Sequence, residues 1–129
     1  MSRVDASVPG KGLTTFMASG ADGSTALTNV AQVVAAASGR IYGYSFKNVA
    51  AAASFISFYD VPAASVTVGT TEPFMQIGVI AATADSLALP YGIMFAGALS
   101  VAATTTAGGN SAPVTAVDLL VWYALDNDA

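Results

Sequence analysis

The chain has no cysteine, no histidine and few charges: four Lys or Arg and eight Asp or Glu in 129 residues. Without cysteine there are no disulfides, so the fold rests on its own core in any redox compartment. Thiol nucleophiles, Ser-His-Asp triads, zinc fingers, histidine ligation of haem and imidazole pH switches are all excluded with the two missing residue types. The shortage of cations, with a net charge of −4, argues against a phosphate backbone as partner, because that affinity scales with the cations presented. No nucleic-acid partner is expected. Long apolar runs are missing too, since Gly, Ser, Thr and Pro interrupt every window of about 18 residues, and no membrane partner is expected. The start, Met1-Ser2-Arg3-Val4-Asp5 followed by Pro9-Gly10-Lys11-Gly12, has an early acid and no contiguous apolar stretch. It lacks the pattern of a signal peptide, so the chain is expected to be made in a cytoplasm and used as translated.

What is present is apolar and small. Hydrophobic residues make up 54% of the chain and the mean hydropathy is +0.63, which excludes a disordered polypeptide. Alanine alone contributes 27 residues and buries little area per residue. A chain of this length makes one domain with a high surface-to-volume ratio. With so few charges, its solvent face must be built from Ser, Thr, Gly, Asn and Ala. Surfaces of that kind are usually covered by neighbours in oligomers or lattices, so association with other chains is expected.

Turn formers divide the chain into short β segments. Residues 1–12 read as an extended N-terminal arm, 13–125 as a single β-sandwich domain, and 126–129 as an acidic tail. Leu13 to Met17 is a first strand, followed by a turn carrying Asp22-Gly23. Leu27 to Ala37 reads as a second strand, although Leu27, Val30, Ala31 and Val34 also fit helical spacing. In Arg40 to Asn48, Tyr42, Tyr44 and Phe46 share one face while Gly43, Ser45 and Lys47 share the other. Ala50 to Ala53 then reads as a compact turn to an antiparallel partner, Ser54 to Asp60, stopped by Val61-Pro62. Phe74 to Ala81 follows, then a short strand, Asp85 to Leu89, closed by Pro90. Beyond it lie Tyr91 to Phe95, Ala98 to Thr104 and a final strand, Val117 to Leu125. Both faces of that last strand are apolar except at Asp118, which predicts a central strand with Trp122, Leu120, Phe46 and Phe58 in the interior or at a subunit contact. About eight strands at short spacing, with no long helix, predict an all-β antiparallel sandwich or jelly roll.

Few residues look equipped for chemistry. Gly10-Lys11-Gly12 lacks the hydroxyl that follows lysine in a phosphate loop and has no strand before it. Asp126-Asn127-Asp128 lacks the further ligands and distal glutamate of a calcium loop. Asp60, Glu72 and Asp85 fall at strand ends or loops, where carboxylates are ordinarily hydrated, and a hydrolytic pair would need two of them to converge in a cleft. Tyr42, Tyr44, Phe55, Phe58, Tyr59 and Trp122 fit a sugar-stacking platform less well than they fit sheet faces and core. No catalytic residue, cofactor or metal site is expected, and the chain reads as no enzyme.

Two blocks carry a resemblance. The run from Gly39 to Tyr59, with Ile41-Tyr42-Gly43-Tyr44, Phe46, Asn48, four alanines and Phe55-Ile56-Ser57-Phe58-Tyr59-Asp60, resembles small all-β virion proteins of tailed bacteriophages. So does Leu89-Pro90-Tyr91-Gly92-Ile93, Phe95 and Gly97 to Val101, read as a hairpin ahead of a Thr/Gly/Asn-rich loop and a terminal strand ending near Tyr123. The resemblance covers about residues 39–125 and implies a jelly-roll virion component. Capsid decoration (cement) protein is the foremost role it implies, with tail, baseplate, neck or fibre-associated proteins as the alternative; it transfers no catalytic residue. A carbohydrate-binding jelly roll is a second alternative. The decoration reading implies a virion location, a closed homo-oligomer (a trimer), and contact with a major capsid protein or another virion protein. The expected contact runs through an arm that for docking spans residues 2–17, with Val4, Val8, Leu13, Phe16 and Met17 as apolar anchors and Pro9 keeping the arm extended.

Overall fold

The computed structural model describes residues 13–20 and 25–126. Eight strands run in chain order: β1 (Thr14–Ala18), β2 (Gln32–Ala35), β3 (Gly39–Asn48), β4 (Ser54–Tyr59), β5 (Met75–Val79), β6 (Thr83–Phe95), β7 (Leu99–Thr104) and β8 (Asp118–Leu125). A 3-10 turn spans Ala63–Ser65, and no α-helix occurs among the described residues. The strands form two four-stranded sheets, ordered β1-β8-β3-β6 and β2-β7-β4-β5. β1 pairs with β8, β2 with β7, β3 with β6 and β4 with β5, all antiparallel. This is one long ribbon doubled at the β4–β5 connection and rolled, so that β3 also meets β8 and β4 also meets β7. The winding is that of a jelly roll.

Alternation decides what each strand buries. Phe16, Val121, Tyr44 and Leu119, Phe46 stand opposite one another on the inner side of the first sheet. Ile56 with Ala103 and Phe58 with Val101 do the same in the second. Together with Leu27, Ile41, Val79, Phe95, Leu99 and Val117 they make one core between the sheets. Burying each large side chain there contributes roughly 1.5–3 kcal/mol.

Four local expectations are corrected. Within 27–37 only Gln32–Ala35 is a strand; Leu27 makes a single bridge to Val117. Residues 49–53 do not join a hairpin, because β3 and β4 lie in opposite sheets. The crossing is organised by Asn48, which is buried: its side-chain amide donates to the carbonyls of Ala52, Val79 and Ile80, and its Oδ1 accepts from Ala50 N–H at 3.1 Å. The segment after Pro90 is no hairpin either, since β6 and β7 also belong to opposite sheets. Finally, Pro90 does not close a strand. β6 runs through it because β6 is an edge strand, where a missing N–H disturbs no inner ladder.

Candidate interaction face

The outer faces of the two sheets differ. In β2-β7-β4-β5 the central strands are covered on both sides: Ser57 and Tyr59 on the outer side of β4 are each 3% exposed, and every residue of β7 is buried. The β4–β5 and β7–β8 connections lie over this face. Ser100 Oγ donates to the Val61 carbonyl at 2.8 Å, and Gly69 packs against Asn110, whose carbonyl accepts from Asn29 Nδ2.

The face of β1-β8-β3-β6 has no such cover among the described residues. Its register rows are Thr15, Trp122, Gly43, Ala88 and Met17, Leu120, Ser45, Ser86, with Lys47 opposite Asp118 in the next row. Trp122 and Leu120 are half-buried and Leu13 and Met17 are each 41% exposed. A groove of about 320 Å³ runs across the strands, lined by Leu13, Tyr42, Trp122 and Ser86-Leu87-Ala88. Two departures from regular pairing build it. The β3 register shifts between Ile41 and Gly43, so Tyr42 is a bulged residue and leaves the face it would share with Tyr44 and Phe46. Those two stay on the core side, stacked with ring centroids 6.4 Å apart. Across from the bulge, residues 89–92 of β6 have no partner in the register. Gly92 takes φ +76, which glycine adopts without Cβ strain. Arg40 Nη1 donates to the Tyr91 carbonyl at 3.3 Å, and Tyr91 as a residue is 91% exposed. Gly43 is the second requirement. A Cβ there would stand 2.8 Å from the Trp122 ring and 3.0 Å from the Leu87 carbonyl, so only glycine lets the indole lie down on the strand.

Of the expected anchors, Val4, Val8 and Pro9 lie outside the described residues. Leu13 and Met17 do face outward, Leu13 in the groove wall and Met17 beside Leu120. Phe16 does not: it stands opposite Val121 and packs against the core, as strand alternation requires. Thr14 to Met17 are therefore part of a paired edge strand and no part of an arm. Trp122 and Leu120, expected in the interior or at a subunit contact, lie half-buried on the outer face, where only the second alternative fits, while Phe58 is wholly buried. The signal that marks them is Asp118: counting by twos from that acid reaches Leu120 and Trp122. Tyr42 had no such signal, because a bulge leaves no mark in the alternation itself.

The three carboxylates are separated. Asp60 directly follows β4 and is tied to backbone groups. It accepts from the backbone N–H groups of Ala96 (2.8 Å), Gly97 (2.8 Å) and Ala98 (3.4 Å), tying the end of β4 to the β6–β7 crossing. Partial burial works against its ionisation, yet these donors outweigh burial and hold its pKa below the ordinary aspartate value. Asp85 sits on the β6 edge. The Tyr44 hydroxyl is pushed up in pKa by burial first and by the Asp85 carboxylate second. Glu72 lines a polar cleft with Ser57, Tyr59, Thr70, Thr71 and Gln76, a cleft to which neither Asp60 nor Asp85 contributes. Among the described residues no three metal-ligating side chains cluster. Compared with known proteins, the chain matches no family model, no curated protein and no solved structure.

Proposed function

We propose that the chain is a structural virion protein of a tailed bacteriophage, one that decorates and stabilises a capsid through protein–protein contacts. The observation that carries this reading is the apolar face around Trp122, uncovered among the described residues, in a jelly roll whose other sheet is roofed by its own loops. A face of that kind is a docking surface, and the low charge of the chain places little desolvation cost on a close neighbour. Jelly rolls serve viral capsid and lectin domains alike, so the fold favours neither by itself; the resemblance along residues 39–125 favours the virion. In this reading the protein works as a homo-oligomer, a trimer, seated on a major capsid protein or another virion protein, with no catalytic step.

The test mixes purified protein with undecorated particles and counts bound copies after sedimentation. Wild-type protein co-sediments, Trp122→Ser loses most of its occupancy, and Val114→Ser, in the β7–β8 connection, keeps it. Wild-type protein that stays in the supernatant with capsids but binds isolated tails moves the role to the tail. Trp122 and Tyr42 sharing one open groove also suits stacking on a sugar ring; quenching of Trp122 fluorescence by cell-surface oligosaccharides, without particle binding, replaces the virion reading with that one.

A further inference from the structure

The groove on the β1-β8-β3-β6 face is walled by Leu13, the residue through which residues 1–12 join the domain. Charge divides at the same point. Residues 1–12 carry Arg3 and Lys11 against Asp5, a balance of +1. Residues 13–129 carry Arg40 and Lys47 against seven acids, a balance of −5. The first segment is thus cationic in an otherwise acidic chain, and its Val4, Val8 and Pro9 give it compact apolar side chains suited to a shallow apolar groove. Twelve residues reach at most about 40 Å, enough to cross a neighbouring domain whose radius of gyration is about 13 Å.

We infer that the groove is the seat of residues 1–12 from a second copy of this chain, so that copies exchange their N-terminal segments and close into a ring. Chain direction favours exchange over folding back. Thr14 stands opposite Tyr123 in an antiparallel pair, so the chain enters β1 from the Ala124 end of the sheet. The groove instead runs across the strands, from Leu13 to Ser86-Leu87-Ala88. A segment leaving along β1 meets a neighbour's groove without reversing, and the resulting contact is head-to-tail, which closes when the rotation between copies is a simple fraction of a turn. Apolar burial in the groove and attraction between the cationic segment and the acidic domain then act together. The inference rests on the reading of the protein as one that works by association; it does not depend on the partner being a capsid.

Trp122 is the single tryptophan of the chain, so its emission reports directly on the groove. The experiment measures mass by sedimentation and emission wavelength for the full-length protein, for V4S/V8S and for R3E/K11E. Wild-type protein sediments as an oligomer with short-wavelength emission. Both double variants sediment at protomer mass with emission shifted to longer wavelength. Adding a synthetic peptide of residues 1–12 to V4S/V8S returns the emission to short wavelength without restoring the mass, and Tyr42→Ser placed in that background abolishes the response to peptide. Wild-type protein at protomer mass with short-wavelength emission overturns the exchange, because the segment then fills its own groove. A V4S/V8S variant that keeps both oligomer mass and emission overturns the seat itself. Particle binding is not read in this experiment, so its failure leaves the decoration role standing, and loss of that role leaves this result standing.

Discussion

The two sheets of the sandwich have equal strand number and share one core, yet they hide different fractions of themselves. The sheet β2-β7-β4-β5 carries two long connections over its outer side, and its central strands are buried front and back. The sheet β1-β8-β3-β6 buries one side and presents Trp122, Leu120, Tyr42, Met17 and Leu13 on the other. Similar apolar content therefore has two fates. On one sheet the chain supplies its own cover, and the apolar residues contribute to folding. On the other no described residue supplies a cover, and the same residue types are free to contribute to association.

The sharpest way to break this comparison is to truncate one aromatic on each sheet. Phe58→Ala removes a fully buried ring and should lower the unfolding free energy of the isolated protein by about 3–5 kcal/mol. Trp122→Ala, on the outer face, should lower protomer stability by no more than about 2 kcal/mol while removing most of the protein's capacity to associate. Urea titrations of both variants at low concentration check the pair; equal losses would erase the distinction between the sheets. Next in size is Asn48→Leu, at the crossing between them. It strands the carbonyls of Ala52, Val79 and Ile80, which the side-chain amide now satisfies, and should lower stability by about 2–3 kcal/mol. A loss well below 1 kcal/mol would mean that the crossing is held by other groups.

How much of this was legible in the sequence follows the same division. The fold class was readable because alternation in 54–60 and 117–125 and the Gly/Pro/Asn punctuation report directly on strands. Strand partners were not, since a jelly roll sends nearly every consecutive strand to the opposite sheet, and nothing local in Ala50 to Ala53 distinguishes a hairpin turn from a sheet crossing. Asn48 carried that information, but only a structure shows that its amide reaches residues 79 and 80, some thirty positions away. Trp122 was readable only as interior or subunit contact because β8 is apolar on both faces, a pattern that fits burial by this chain or by another one. Tyr42 and Pro90 were misread because bulges on β3 and β6 interrupt the period of two on which the reading depended.

Asp60 sharpens the comparison through pH. Its carboxylate bridges β4 of the covered sheet to the segment leaving β6 of the bare one. Because its folded pKa is lowered, the unfolded chain binds the proton more readily. The stabilisation is therefore fully present above the unfolded value, about 3.9, and is lost as pH falls through the lower folded value. Asp60→Ala should lower stability at neutral pH by about 1–2 kcal/mol and flatten the dependence of the melting temperature on pH below about 4. Thermal melts between neutral and acid pH check both parts; an unchanged acid slope would show that other carboxylates govern acid unfolding.

The smallest effect comes from two glycines, one on each outer face. Gly78 on β5 stands opposite Phe55, and a Cβ there would meet the Phe55 ring at 3.4 Å, an ordinary contact. Gly78→Ala removes backbone freedom from the unfolded chain without a clash, and should be neutral or stabilise by up to about 0.5–1 kcal/mol. Gly43→Ala places its methyl 2.8 Å from the Trp122 ring and 3.0 Å from the Leu87 carbonyl. One obstacle is backbone, which cannot step aside, so the indole must lift from the strand. The substitution should lower stability by about 1 kcal/mol, at the low end for overpacking because one side of the ring is open to solvent. It should also shift Trp122 emission to longer wavelength and weaken association, since the groove loses its floor. Chemical denaturation of both variants, with Trp122 emission followed in each, separates the cases. If Gly43→Ala matched Gly78→Ala in stability, emission and self-association, the indole would not need the strand beneath it, and the bare face would owe its shape to some other contact.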